Sequence, residues 1–193
     1  MKKVLVAVVV VLVALVAFIA SRPSQYHVER SATIEAPPDS VYARIVDFHH
    51  WDDWSPWAKL DPAMKTDYSG PDNGVGSVYH WVGDKRVGEG RMTVTEGTPG
   101  QHVRIKLEFI KPFASVADCS FDMAAQGTGT RVTWNMDGGL GFIEKGMCLM
   151  KSMDQMIGGD FEKGLAQLKT VAEATAAAAT APADSTAAAA PAN

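Results

Sequence analysis

From Val87 to Met136 the chain alternates apolar and polar residues through four successive runs, and the apolar period then lengthens from two to three or four. Val87–Glu96 sets Gly88, Gly90, Met92 and Val94 against Arg91, Thr93 and Thr95. His102–Phe109 sets Val103, Ile105, Leu107 and Phe109 against Arg104, Lys106 and Glu108. Ser115–Ala124 sets Ala117, Cys119, Phe121 and Met123 against Asp118, Ser120 and Asp122. Thr130–Met136 sets Val132, Trp134 and Met136 against Arg131, Thr133 and Asn135. Alternation of this kind predicts an antiparallel sheet with one dry face and one wet face. Met147, Met150, Met153, Ile157, Phe161, Leu165, Leu168 and Val171 then fall three or four apart, which predicts one helix from Glu144 to Ala172 with a single apolar stripe. A sheet and a helix that each have one apolar face bury both by packing together, so the class is α+β.

The segments before Val87 fit this plan. Tyr26–Glu35 alternates through Val28, Ala32 and Ile34 and reads as a half-buried strand. Ala36-Pro37-Pro38 ends it, and Asp39 or Ser40 is placed to cap a helix carrying Val41, Tyr42, Ile45, Val46 and Phe48. A second short helical or turn segment, His49 to Trp57, stops at Pro56. Ser69 to Gly74 is dense turn chemistry, and Val75–Val82 is a further strand.

Both termini stand apart from this core. Val4–Ala20 is an unbroken apolar run of 17 residues behind Lys2 and Lys3. It is short for a membrane span of ~20 residues and long for a signal h-region of ~7–15. The positions before Ala20 and Ser21 carry Phe18 and Ile19 where a cleavage site wants a small residue, so an uncleaved single-pass anchor is expected. The lysines place the rest of the chain on the extracytoplasmic side. Glu173–Asn193 is nearly all Ala, Thr and Pro and is expected to be disordered. The expected organisation is therefore residues 1–25 as anchor and linker, 26–172 as the folded domain and 173–193 as a tail.

The formal net charge is −4 with the signs mixed along the chain, which argues against a nucleic-acid partner. Two cysteines, Cys119 and Cys148, are too few for a disulfide scaffold or a CxxC zinc site. His49, His50, Asp52 and Asp53 lack the spacing of a helical His pair, and the aspartates read better as helix caps; no metal is expected. No nucleophile elbow or phosphate-cradling glycine loop is present, so no cofactor is expected. Tyr79, His80 and Asp137 are the nearest approach to an acid/base set.

The order of elements resembles the START-like superfamily, also called polyketide cyclase/dehydrase and lipid-transport proteins, as a membrane-anchored bacterial member. The likeness is carried by Ile34-Glu35-Ala36-Pro37, Trp51-Asp52-Asp53-Trp54-Ser55-Pro56-Trp57, Gly74-Val75-Gly76 with Trp81, Gly129-Thr130-Arg131-Val132-Thr133-Trp134 and Gly164 to Lys169. It implies a helix-grip fold: a curved sheet wrapped on the last helix, with a cavity that takes a hydrophobic small molecule or lipid. The residues expected to face that cavity are Trp54, Trp57, Tyr79, Trp81, Met92, Phe109, Trp134, Met150 and Met153. Gly88 and Gly90 are expected to leave room, and Gly138 to Phe142 to form a loop at the mouth. Binding without catalysis is the first expectation. A cyclase/aromatase-type enzyme and an interaction module with a filled core are the alternatives.

Overall fold

A computed structural model describes residues 1–180. Helix α1 (Lys2–Ala20) is followed by β1 (Gln25–Ile34), α2 (Pro38–Val46), a 3-10 turn (Phe48–His50) and the short α3 (Trp51–Trp54). Strands β2 (Lys65–Ser69), β3 (Val78–Val82), β4 (Glu89–Thr98), β5 (His102–Lys111), β6 (Ser115–Gln126) and β7 (Gly129–Gly139) come next, then α4 (Phe142–Met147) and α5 (Met153–Thr180). The seven strands form one antiparallel sheet in the order β1-β7-β6-β5-β4-β3-β2. Only β1 is out of sequence order, because α2, α3 and the whole meander intervene before β7 returns beside it.

The sheet's inward set is the one the alternation predicts. Val103, Ile105, Ala117, Cys119, Phe121, Val132 and Trp134 are all buried, as are Phe161, Leu165 and Leu168 on α5. Where α5 crosses, the Trp134 indole stacks on Phe161 with centroids 4.0 Å apart, and Trp54 and Phe121 pack edge-on to each other at 6.0 Å. Polar contacts fix the helix along β1. Arg30 reaches Asp154 at 2.6 Å and Glu162 at 2.7 Å, Lys169 Nζ donates to the Thr33 carbonyl at 2.7 Å, and the Glu35 amide donates to Glu173 at 2.7 Å. This is the helix-grip fold.

Several local expectations change. Lys65–Ser69 forms an additional strand, β2, and β3 begins at Val78 instead of Val75. Pro37 holds the N-cap position of α2 without a side-chain cap, so neither Asp39 nor Ser40 serves there. Asp52 and Asp53 lie in the first turn of α3 and do not cap it. Gly138 and Gly139 complete β7 instead of opening a loop.

The last helix is broken. Ser152 Oγ accepts from the Gln155 amide at 3.2 Å while Gln155 Oε1 accepts from the Ser152 amide at 3.2 Å. This reciprocal capping box starts a new helix at Met153 and leaves 148–152 as a turn. The apolar stripe therefore begins at Met153; Met147 and Met150 fall outside it. Helix α5 also continues through Glu173 to Thr180, so the first residues assigned to the tail are helical. The remainder of the expected disordered tail, residues 181–193, lies outside the described residues.

Helix α1 has 19 residues, none of them buried, and is long and apolar enough to cross a membrane, as an anchor or as a signal sequence.

Candidate functional site

Between the sheet and α5 lies a cavity of about 260 Å³, close to the lower end of the roughly 300–1,000 Å³ common for ligand pockets. Each wall follows from the pleat and the helix period. The inward residues of β3, β4 and β5 supply Tyr79, Trp81, Met92, Leu107 and Phe109; β6 and β7 supply Cys119, Trp134 and Met136; α5 supplies Met153 and Ile157. Trp57 and Ala58 close the side next to α3, and Tyr26 the end nearest α1. Exposed Asp52 and Arg86 mark where the cavity meets solvent.

Seven of the nine residues expected at the cavity line it: Trp57, Tyr79, Trp81, Met92, Phe109, Trp134 and Met153. Trp54 does not. It is fully buried behind the cavity, packed on Trp51, Phe121 and Trp134, with its indole N–H bonded to the Arg44 carbonyl at 3.1 Å. Met150 does not either. It sits in the turn before α5 and is 91% exposed. Tyr26, Trp51, Met64, Cys119, Leu107, Met136 and Ile157 line the cavity without having been expected there. Leu107, Cys119, Met136 and Ile157 carry an available signal, since they belong to the inward sets of β5, β6 and β7 and to the helix stripe. Tyr26 shares the parity of Val28 and Ile34 in β1 and carries the same signal, whereas Met64 precedes β2 and belongs to no alternating run.

Gly90 does not leave empty space. A Cβ there would collide with the Trp81 indole and come within 2.8 Å of the Glu108 carbonyl. The missing side chain is what lets Trp81 lie over β4, with its N–H bonded to the Val87 carbonyl at 3.0 Å. Gly88 likewise leaves no void; it has a positive φ and sits against the Lys111 carbonyl at the start of β4.

The wall carries little charge. Burial pushes the Tyr26 phenol up to about 12, and it raises Tyr79 still further. Burial pushes the Cys119 thiol up to about 12. All three groups are protonated and neutral at neutral pH. Trp134 Nε1 is buried and has no hydrogen-bond partner among the described residues.

The acid/base candidates are not brought together. His80 points to the outer face, its Nε2 3.6 Å from Glu89, and Asp137 lies outside with an oxygen 2.8 Å from His27 Nδ1. Only Tyr79 faces the cavity. The histidines after α2 are also accounted for. His49 Nδ1 lies 2.8 Å from Asp47 and its ring stacks on Tyr68 at 4.2 Å, while His50 Nδ1 lies 3.2 Å from Arg44. Among the described residues no group of three or more His, Cys, Asp or Glu side chains is arranged to hold a metal ion.

A sheet gripping a helix over an apolar cavity defines the helix-grip fold. Residues 25–173 match the family model described as polyketide cyclase / dehydrase and lipid transport, and the chain belongs to that family. Protein CV1439 of Chromobacterium violaceum has the same fold at 18% identity and a TM-score of 0.52, over 78% of this chain and 99% of that one. Protein MLL2253 of Mesorhizobium loti superposes with a TM-score of 0.57 at 14% identity, over 78% of this chain and 98% of that one. DynU16, from the dynemicin biosynthetic locus, gives 0.54 at 14% identity, over 78% of this chain and 48% of that one. No curated protein matches the sequence.

Proposed function

We propose that the protein binds a hydrophobic small molecule or lipid in the cavity between the sheet and α5, held at a membrane surface by α1 as an uncleaved anchor. The observation that carries this reading is the cavity itself, whose walls are Trp81, Met92, Leu107, Phe109, Trp134 and Met153 with few polar atoms. Burial of apolar ligand surface there is worth roughly 25 cal/mol per Å² before ordering costs. Met and aromatic walls adapt to an irregular apolar guest.

The enclosed cavity groups Tyr26, Tyr79 and Cys119 are held protonated, which disfavours them as the general base of a cyclase-type activity. The lysines before α1 favour the extracytoplasmic side for residues 26–172.

The test is photocrosslinking of the full chain in nanodiscs with a diazirine-bearing fatty acid. Adducts on Trp81, Met92 or Trp134, competed by unlabelled lipid, are the expected result. Adducts confined to α1 would refute the binding reading.

A further inference from the structure

The connections at one end of the sheet gather most of the exposed large apolar side chains of the folded part. The register places the β3/β4, β5/β6 and β7/α4 connections together with the start of β1 at this end. Glu89 pairs with Val82 and Lys111, Phe109 with Ser115, Ala117 with Gly138, and Gln25 with Gly139. Here Ile110, Phe113, Val116, Phe142 and Ile143 are 42–56% exposed, and Met150 is 91% exposed. The opposite end, with the turns at 70–77, 99–101 and 127–128, holds one exposed large apolar residue among the described residues, Val75. Monomeric surfaces rarely gather apolar side chains so unevenly without a partner.

The chain itself says what covers this end. Only Ser21 to Ser24 separate α1 from β1, and five Cα steps extend no more than about 18 Å. Lys145 Nζ on α4 donates to the Ala20 carbonyl at the end of α1, at 3.3 Å. Lys145 follows Phe142 and Ile143, and Lys151 follows Met150, where long cationic side chains reach lipid headgroups while their stems lie on apolar surface. The cavity reaches the same end: Tyr26 at the start of β1, Phe109 near the end of β5, and Arg86 and Val87 between β3 and β4 all line it.

We propose that this end of the sheet, with Phe142, Ile143 and Met150 of the α4 segment and Phe113 of the β5/β6 loop, lies in the bilayer interface, so that the apolar ligand passes between membrane and cavity without crossing water. A second copy of the chain is a less suitable occupant, because α1 already brings this face to the lipid. The inference rests on α1 being a retained membrane span and deepens the binding reading by assigning the route of exchange.

Cys148 stands inside the segment and Cys119 is buried in the cavity wall, so a nitroxide placed on Cys148 in a Cys119→Ala background reports the contact. The full chain is reconstituted in phosphatidylethanolamine/phosphatidylglycerol vesicles, and relaxation by oxygen is compared with relaxation by a water-soluble nickel chelate. A Thr128→Cys label at the opposite end is the reference. The expected result is a Cys148 label shielded from nickel at a depth of roughly 5–10 Å, a water-exposed label at Thr128→Cys, and loss of the shielding in an Ile143→Glu/Met150→Glu variant. Equal nickel access at the two sites, with the chain resistant to carbonate extraction, would overturn the docking and leave the anchor intact. Release of the chain by carbonate would overturn the anchor and the docking together. Failure to find a ligand by mass spectrometry would overturn the binding reading and the exchange route with it, and leave the docking of this end to be decided by the label.

Discussion

The indole of Trp134 lies flat on the ring of Phe161, with centroids 4.0 Å apart and planes 9° from parallel. This contact joins the middle of β7 to the first third of α5, and Trp134 also lines the cavity. One stack thus ties the stability of the grip to the shape of the site. Phe161 is fully buried, so Phe161→Ala should cost about 3–5 kcal/mol, read as a lowered midpoint in urea unfolding. Phe161→Leu, which keeps most of the volume, should cost clearly less.

Gly164 sets how closely α5 approaches the sheet. A Cβ at this position would sit 2.8 Å from Trp134 Cζ3 and 3.1 Å from Pro56 Cδ. In an exposed helix, replacing Gly by Ala stabilises by about 1 kcal/mol. Here the rigid ring and the proline on the far side cannot both give way, so the sign reverses. Gly164→Ala should lower the thermal midpoint, whereas Gly159→Ala on the exposed face, which meets nothing within 4 Å, should raise it.

Gly90 controls the cavity instead of the grip. A methyl group there displaces Trp81 from its place over β4 towards the ligand space. Gly90→Ala should weaken binding of an apolar fluorescent probe about tenfold, which corresponds to ~1.4 kcal/mol, with little change in far-ultraviolet circular dichroism. Undiminished probe affinity would show that Trp81 does not shape the bound site.

The pH response has opposite signs at its two ends. The hydrogen bond to Asp137 raises the pKa of His27 above its ordinary 6.5. Its contribution is therefore complete below that value and lost as pH rises through the raised one. Asp154 is held below its ordinary range by the hydrogen bond to Arg30, and Glu108 by Lys106 and then Arg91. Their contributions are present above the ordinary carboxylate pKa and lost as pH falls through the lowered one. Histidine resonances followed by NMR should show His27 titrating above 6.5 and returning towards it in Asp137→Asn. Arg30→Gln should flatten the decline of the thermal midpoint below about pH 4.

Much of the sheet and its dry face was legible because the pleat imposes strict alternation on β5, β6 and β7, where Val103, Phe121 and Trp134 are all interior. Strand β2 escaped because Lys65-Thr66-Asp67-Tyr68-Ser69 is an edge strand exposed at four of its five positions, and carries no alternation to read. The break before α5 was written in Ser152 and Gln155, but the methionines at 147, 150 and 153 keep helical spacing straight through it. Apolar spacing persisted where the backbone did not, which is why Met150 falls outside the cavity. Trp54 failed for a different reason: the motif that carries the family resemblance marks an interior residue, and only packing decides whether it meets a void or another ring. The curvature that opens the cavity, and the place of Tyr26 beside Gly138, depend on strands more than a hundred positions apart in the chain.

The most direct test of the central claim is native mass spectrometry of the full chain, released from nanodiscs after purification from its own membrane fraction, with lipid extraction in parallel. The account predicts one apolar molecule per chain, retained by the unaltered protein and lost on Trp134→Arg. A clean mass without ligand, and no uptake from a panel of lipids and other apolar molecules, would contradict it.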